Sequence, residues 1–180
     1  MTQFQDLTRG RFTCRQFSEQ PVTREEVMQC LEAARLAPSA ANSQPWKFYV
    51  ALTPEMRMKL GGDLANMGIN SFAEQAQAIV GVVEEDDLHC NEPIKTFLGH
   101  KFSMGDVGQA VAYFTLQAHE LGIDTAIIGN FDGAYFSEIM GVPVNDHLRV
   151  VILMGRRAED VTASEKDRRP VEDIVTFVGE

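Results

Sequence analysis

Arg9, Arg11 and Arg15 fall within a seven-residue window that holds no acid, and Lys166, Arg168 and Arg169 form a second basic group just before Pro170. Guanidinium forks and ammonium groups bind phosphate and carboxylate oxygens. In an extended stretch alternate side chains share a face, so the spacing R-x-T-x-R lets Arg11, Thr13 and Arg15 converge on one anion. A solvated charged face is the competing reading. A third element is PSAANSQPW, residues 38–46. Pro38 and Pro45 restrict it. Ser39, Asn42 and Gln44 offer donors and acceptors, and the alanines permit close approach. Such a loop suits hydrogen bonding to a flat heterocycle, although a capping loop would use the same residues.

These cations stand out because the chain is acidic. Its 180 residues carry 16 Lys plus Arg against 26 Asp plus Glu, a formal net charge of -10. A negative surface repels a phosphate backbone, so nucleic acid is not an expected partner. A hydrophobic fraction of 44% excludes a disordered chain. The longest apolar runs, such as 78–83, fall well short of the roughly 20 residues of a membrane helix, so no membrane partner is expected. The opening MTQFQDLTRGR lacks the apolar core of a signal peptide. Three cysteines, Cys14, Cys30 and Cys90, form no C-x-x-C pair, which fits free thiols in a reducing, cytoplasmic setting. The four histidines match no zinc spacing, and His89-Cys90 beside the acids at 84–87 reads as a solvated loop. No metal site is expected. The motifs of a Rossmann dinucleotide site, a P-loop or a hydrolase elbow are missing as well.

The elements that must position these residues are legible in part. Phe4 and Leu7 mark a short amphipathic segment. Thr23 and Glu26 form a capping box for a helix carrying Val27, Leu31 and Ala34, which stops before Pro38. Trp46 to Leu52 reads as a strand. Thr53-Pro54 opens a helix that Gly61-Gly62 is expected to end. A looser helical stretch covers 70–77, and Ala78 to Glu84 reads as a buried strand. Residues 85–99 read as acidic and irregular. The longest helix is expected at about 101–121, central and mostly buried, with Gly122 after it. Asp124 to Ile128 is a short strand broken by Gly129-Asn130, Asp132 caps a helix ending at Gly141, and Leu148 to Met154 is an apolar strand. The polar tail holds one short β-like piece, 174–178, and looks suited to packing on a partner. The expected fold class is α+β, one domain over 1–180, with helices covering both faces of one sheet.

The segments RFTCRQF, PSAANSQPWKFYV, GDVGQAVAYFTLQAHELGIDTAIIGNFD, VVILMGR and KDRRPVEDIV resemble, in this order, the FMN-dependent nitroreductase family. The resemblance implies a three-layer α/β/α sandwich around a mixed, largely antiparallel sheet. It also implies a homodimer, with two FMN molecules at the subunit interface and a C-terminal segment extending onto the partner. Arg11 and Thr13 match the family's phosphate- and ribityl-binding positions, and Arg15 the cation at the flavin's pyrimidine edge or ribityl chain. Phe12 stands where Arg or His is common, so only its backbone is expected to contribute. Pro38, Ser39, Ala40 and Asn42 match the loop that reaches the flavin from the other subunit. Asn70 aligns with an asparagine at the pyrimidine edge. Ile127, Ile128, Gly129 and Asn130 match the segment against the ring, with a backbone N–H of Gly129 or Asn130 at N5. Lys166 and Arg168 match the C-terminal phosphate ligands.

The implied activity is an oxidoreductase in which NADH or NADPH delivers hydride to the flavin and a small electron-poor acceptor, a nitroaromatic or quinone, then takes it. The cofactor carries the chemistry, so no catalytic side chain need be present. An FMN-binding redox or regulatory protein with little turnover is the alternative. So is a specialised member such as a reductive dehalogenase. In the family it resembles, the region between 84 and 101 often forms a lid over the substrate pocket; Phe97, His100, Phe102 and Met104 are candidates to line it, with core packing as the equal alternative.

Overall fold

The computed structural model describes residues 2–179. Four strands form one sheet in the order β1-β2-β4-β3: β1 (Trp46–Ala51), β2 (Ala78–Glu84), β3 (Asp124–Ile128) and β4 (His147–Gly155). Every neighbouring pair is antiparallel, with Val50 opposite Val80, Val80 opposite Ile152, and Ile127 opposite Ile152. The one parallel pairing among the described residues is an isolated bridge between Thr13 and Thr125.

β2 is buried along its whole length, which is why its sequence is continuously apolar rather than alternating. Alternate residues of the sheet serve two separate cores. Ala78, Val80, Val82, Ile152 and Met154 pack with Val27, Cys30 and Ala34 of α2 (Arg24–Arg35) and with Val107, Ala110, Phe114 and Ala118 of α5 (Ser103–Glu120). Ile79, Ala126, Ile128, Val151 and Leu153 pack instead with Leu60 and Leu64 of α3 (Pro54–Asn66) and with Phe136 of α6 (Gly133–Met140). Phe12, Cys14 and Phe17 belong to this second core, so the first basic segment is anchored there.

The capping box at Thr23 and Glu26 forms in both directions, and Asp132 Oδ1 accepts from Tyr135 N at 3.0 Å at the start of α6. Four local readings are corrected. Gly61-Gly62 does not end α3, which continues to Asn66. A Cβ at Gly61 would lie 2.8 Å from the Ala73 carbonyl oxygen, so glycine stands there to let the 3-10 turn Ser71–Gln75 press against the helix. That turn replaces the looser helix expected at 70–77. The segment 85–99 is not irregular throughout: it contains α4 (Glu92–Leu98). Asn91 caps α4 through Ile94 N at 3.1 Å, and Pro93 is its second residue, where a missing N–H costs nothing. The β-like piece 174–178 is no strand. A 3-10 turn, Val171–Ile174, ends within it, and extended backbone follows. No helix among the described residues is long and apolar enough to cross a membrane.

Candidate functional site

The first basic segment leaves α1 (Gln3–Gly10) and runs extended beside β3, where Cys14 N donates to the Thr125 carbonyl at 3.0 Å. Burial alternates along it. Phe12 and Cys14 are buried, Arg11 and Thr13 half-buried, and Arg15 exposed. The period of two turns Arg11, Thr13 and Arg15 away from the core together.

A partly buried ion pair supports this segment. The Phe12 ring lies 4.7 Å from the Arg157 guanidinium carbon, in cation–π contact. Arg157 donates from Nε and Nη2 to the Asp124 carboxylate at 2.7 and 3.1 Å, and the Asp124 side chain is 2% exposed. His119 Nδ1 lies 3.5 Å from the same carboxylate. Across the ring, a Cβ at Gly10 would stand 2.5 Å from His119 Nε2, so a side chain at the end of α1 would have to push the His119 ring aside.

The C-terminal basic group returns to the same place. Lys166 Nζ donates to the Thr8 carbonyl at 2.6 Å and to the Arg11 carbonyl. Burial first, and then the charges of Arg11 and Arg168, hold the Lys166 ammonium below the ordinary lysine range. Arg11, Lys166 and Arg168 therefore share one small region. Among the described residues no carboxylate forms an ion pair with any of the three. Such an excess of cations suits a multiply charged anion such as a phosphate monoester. Arg169 is exposed. Arg156, in the same stretch, is committed to structure: it donates to the Pro21 carbonyl at 2.9 Å and pairs with Glu26.

The loop 38–46 is strained. Ala41, Asn42 and Gln44 have φ of 51°, 57° and 44°, in the left-handed region that costs an L-residue about 1–2 kcal/mol. Strain concentrated in this way marks functional backbone more often than filler. Ser39 Oγ accepts from Gln44 N at 3.0 Å, Ser43 O accepts from His89 N at 2.8 Å, and Asp106 Oδ2 of α5 accepts from Ala40 N at 3.0 Å. Pro38, Ala41 and Asn42 stay exposed, with Ser39 and Ala40 half-buried.

Asn70 is buried, and its Nδ2 has no hydrogen-bond partner. An amide donor in that condition fits a ligand carbonyl. The 3-10 turn that follows is tied to the basic strand's continuation, because Gln75 Oε1 accepts from Phe17 N at 3.0 Å. Ile127 is 41% exposed at the sheet edge, Ile128 is buried, and Gly129 and Asn130 are exposed beyond the strand. Phe12 and Ile128 keep their side chains in the core, which leaves only their backbones for a ligand.

The structure thus brings Arg11, Lys166 and Arg168 together. It does not bring the 38–46 loop to them: that loop is held by α5 and by the segment after β2. Sequence reasoning missed Asp106, Asp124 and Arg157. For Asp106 a signal existed, since a lone acid sits among the buried positions 103, 107 and 110 of an apolar helix.

A family model for the Nitroreductase family matches residues 8–156. The Oxygen-insensitive NADPH nitroreductase of Helicobacter acinonychis is 25% identical over 204 residues, covering 96% of this chain and 95% of that protein. A Streptococcus pyogenes protein, Spy0809, is 39% identical over 85 residues, which are 47% of this chain and 41% of that one. Among solved structures, a nitroreductase family protein from Clostridium difficile 630 superposes with a TM-score of 0.81 at 26% identity, covering 99% of this chain and 100% of its own. The matched segment includes the extended stretch 11–15, the strained loop and the whole sheet, and the chain belongs to the Nitroreductase family.

Proposed function

We propose that the chain binds FMN and is an NAD(P)H-dependent oxidoreductase for small electron-poor acceptors, nitroaromatics and quinones among them. The carrying observation is the convergence of Arg11, Lys166 and Arg168 without a counter-ion. The orphaned Asn70 Nδ2 supports it independently. When bound, FMN supplies hydride transfer between a nicotinamide donor and the acceptor.

The chain's own residues bind, orient and tune. Arg11, Lys166 and Arg168 hold the phosphate, and Thr13 adds a hydroxyl toward the ribityl chain. Arg15 presents a cation to the pyrimidine edge, where it favours negative charge on the ring. Asn70 donates to a ring carbonyl. Exposed backbone at Gly129 and Asn130 offers an N–H to the ring's central edge, beside Ile127.

Pro38, Ser39, Ala40 and Asn42 serve the site of a second copy. The separation of the loop from the basic cluster within one chain supports a homodimer with the cofactor at its interface. So do the uncovered apolar side chains of Phe4 and Tyr113 on one side and Ile174 and Phe177 in the tail, which a partner would cover. The layered sandwich and the tail reaching onto that partner belong to the same proposal, as does a cytoplasmic location.

The test is the visible absorption spectrum of purified protein loaded with FMN, before and after anaerobic addition of NADH or NADPH. Stoichiometric FMN uptake and bleaching of the flavin's visible absorption band are expected. A chain that takes up no FMN overturns the reading. Uptake without reduction by either nucleotide leaves an FMN-binding protein with little turnover.

A further inference from the structure

We infer that Asp106 is a positioning residue for the flavin-facing loop, an inference that rests on the FMN reading above. Asp106 is 6% exposed, and no Lys, Arg or His forms an ion pair with it among the described residues. A buried carboxylate without a cation is costly. What this one holds is the Ala40 N–H, at 3.0 Å from Oδ2, with Gln109 Nε2 at 3.5 Å from Oδ1. Ala40 opens the turn Ala40–Asn42, in which Ala41 and Asn42 adopt left-handed backbone, and Gln44 does so two residues beyond it. Its N–H is the first of that turn and has no carbonyl partner within it. The carboxylate therefore fixes the start of the strained segment at the end that matters, one residue before the left-handed run.

The bond also sets where the loop stands. Asp106 lies in the first turn of α5, and His119, which touches Asp124 beneath the basic strand, lies in the last. They lie thirteen positions apart along the helix, about 20 Å of rigid spacer. One helix thus carries the loop at its N-terminal end and buttresses the phosphate strand at its other end. In the proposed homodimer the loop serves the partner's cofactor and the basic segment the chain's own, so α5 fixes the position of one site relative to the other. Asp106 is the link through which α5 sets the loop's position.

The experiment measures FMN affinity by fluorescence quenching for wild type, Asp106→Ala and Asp106→Asn, with inorganic phosphate protection against thermal unfolding as a second readout. Asparagine keeps an acceptor oxygen for Ala40 N, and alanine does not. Asp106→Ala is expected to weaken FMN binding at least about tenfold, the effect of losing a hydrogen bond to a charged group. Phosphate protection should stay unchanged, because the cation cluster is untouched. Asp106→Asn should restore most of the affinity.

If Asp106→Ala does not fold, Asp106→Ser fills more of the space with a polar side chain too short to hold Ala40 N. It should weaken FMN with phosphate protection intact. Wild-type affinity in a folded Asp106→Ala or Asp106→Ser variant overturns the inference. So does an Asp106→Asn variant as weak as Asp106→Ala, which would make charge rather than the bond to Ala40 the operative property. Failure of wild type itself to bind FMN overturns the FMN reading instead, and is distinguishable from either result.

Discussion

Lys166 reaches back across almost the whole chain to Arg11, donating to its carbonyl oxygen and to that of Thr8 at 2.6 Å. The bonds fasten the tail to the basic strand and force two cations into proximity. The charged form of Lys166 is disfavoured by burial and then by Arg11 and Arg168. In the apo chain the sign is a cost: the unfolded state binds the proton more tightly, so stability is reduced at neutral pH and recovers as pH rises through the depressed pKa. With a phosphate bound the sign reverses, because the anion favours the charged form. FMN affinity should be full below the depressed pKa and decline above it. Titrations of FMN from neutral to alkaline pH should show this limb. Lys166→Met should abolish it and weaken binding at neutral pH by about 1.5–3 kcal/mol. A flat pH profile in wild type contradicts the assignment.

Asp124 and Arg157 form a second relation on which the site stands. Removing one member of a buried pair strands the other, typically at 3–5 kcal/mol. Arg157 is partly exposed, so Arg157→Met should destabilise by about 3 kcal/mol, read as a lower urea midpoint. Asp124→Asn should cost less, since the amide oxygen still accepts from the guanidinium. Because Phe12 rests on Arg157, Arg157→Met should also weaken FMN binding, whereas a destabilising change in α2 should not.

Features set by neighbouring residues were legible in the sequence. The alternation of Arg11, Thr13 and Arg15, the capping box at Thr23 and Glu26, and the buried run at 78–84 all depend on backbone period or on contacts a turn apart. What failed depends on distant partners. Ala40 and Asp106 are 66 positions apart, and Asp124 and Arg157 are 33 apart, so neither pairing has a local signature. Gly61 reads as a stop signal, but its reason is the Ala73 carbonyl pressing on the helix. The tail at 174–178 has the composition of a strand, yet a strand needs a neighbour to bond to, and the chain supplies none there among the described residues.

The thiols give an independent check on the two cores. Burial pushes the Cys30 thiol up to about 12, with the Glu26 charge adding to it. Burial is also the first cause of the raised Cys14 thiol, which donates to the Gln16 carbonyl at 3.2 Å. The thiolate is the reactive form, so both should be inert in the folded protein at pH 8. Cys90 is only half-buried. A colorimetric disulfide reagent should therefore label one of the three cysteines quickly in buffer and all of them in denaturant. Rapid labelling of two or more in the native state would contradict the packing around α2 or the basic strand.

Adjacent glycines in α3 should respond to alanine in opposite directions. Gly62 lies in mid-helix, and a Cβ there meets nothing closer than Glu74 Oε1 at 3.8 Å. Alanine should stabilise by about 0.5–1 kcal/mol, the entropic cost of glycine inside a helix. At Gly61 the new methyl would press on the Ala73 carbonyl at 2.8 Å and on Glu74 Cα at 3.2 Å. Backbone must move, and overpacking of this kind costs about 1–3 kcal/mol. The turn displaced is the one that Asn70 begins, so Gly61→Ala should also weaken FMN binding, while Gly62→Ala should leave it unchanged. Thermal melts and FMN titrations of the two variants separate the effects. Equal melting temperatures would mean that the turn yields without resistance and that Asn70 is not held by α3.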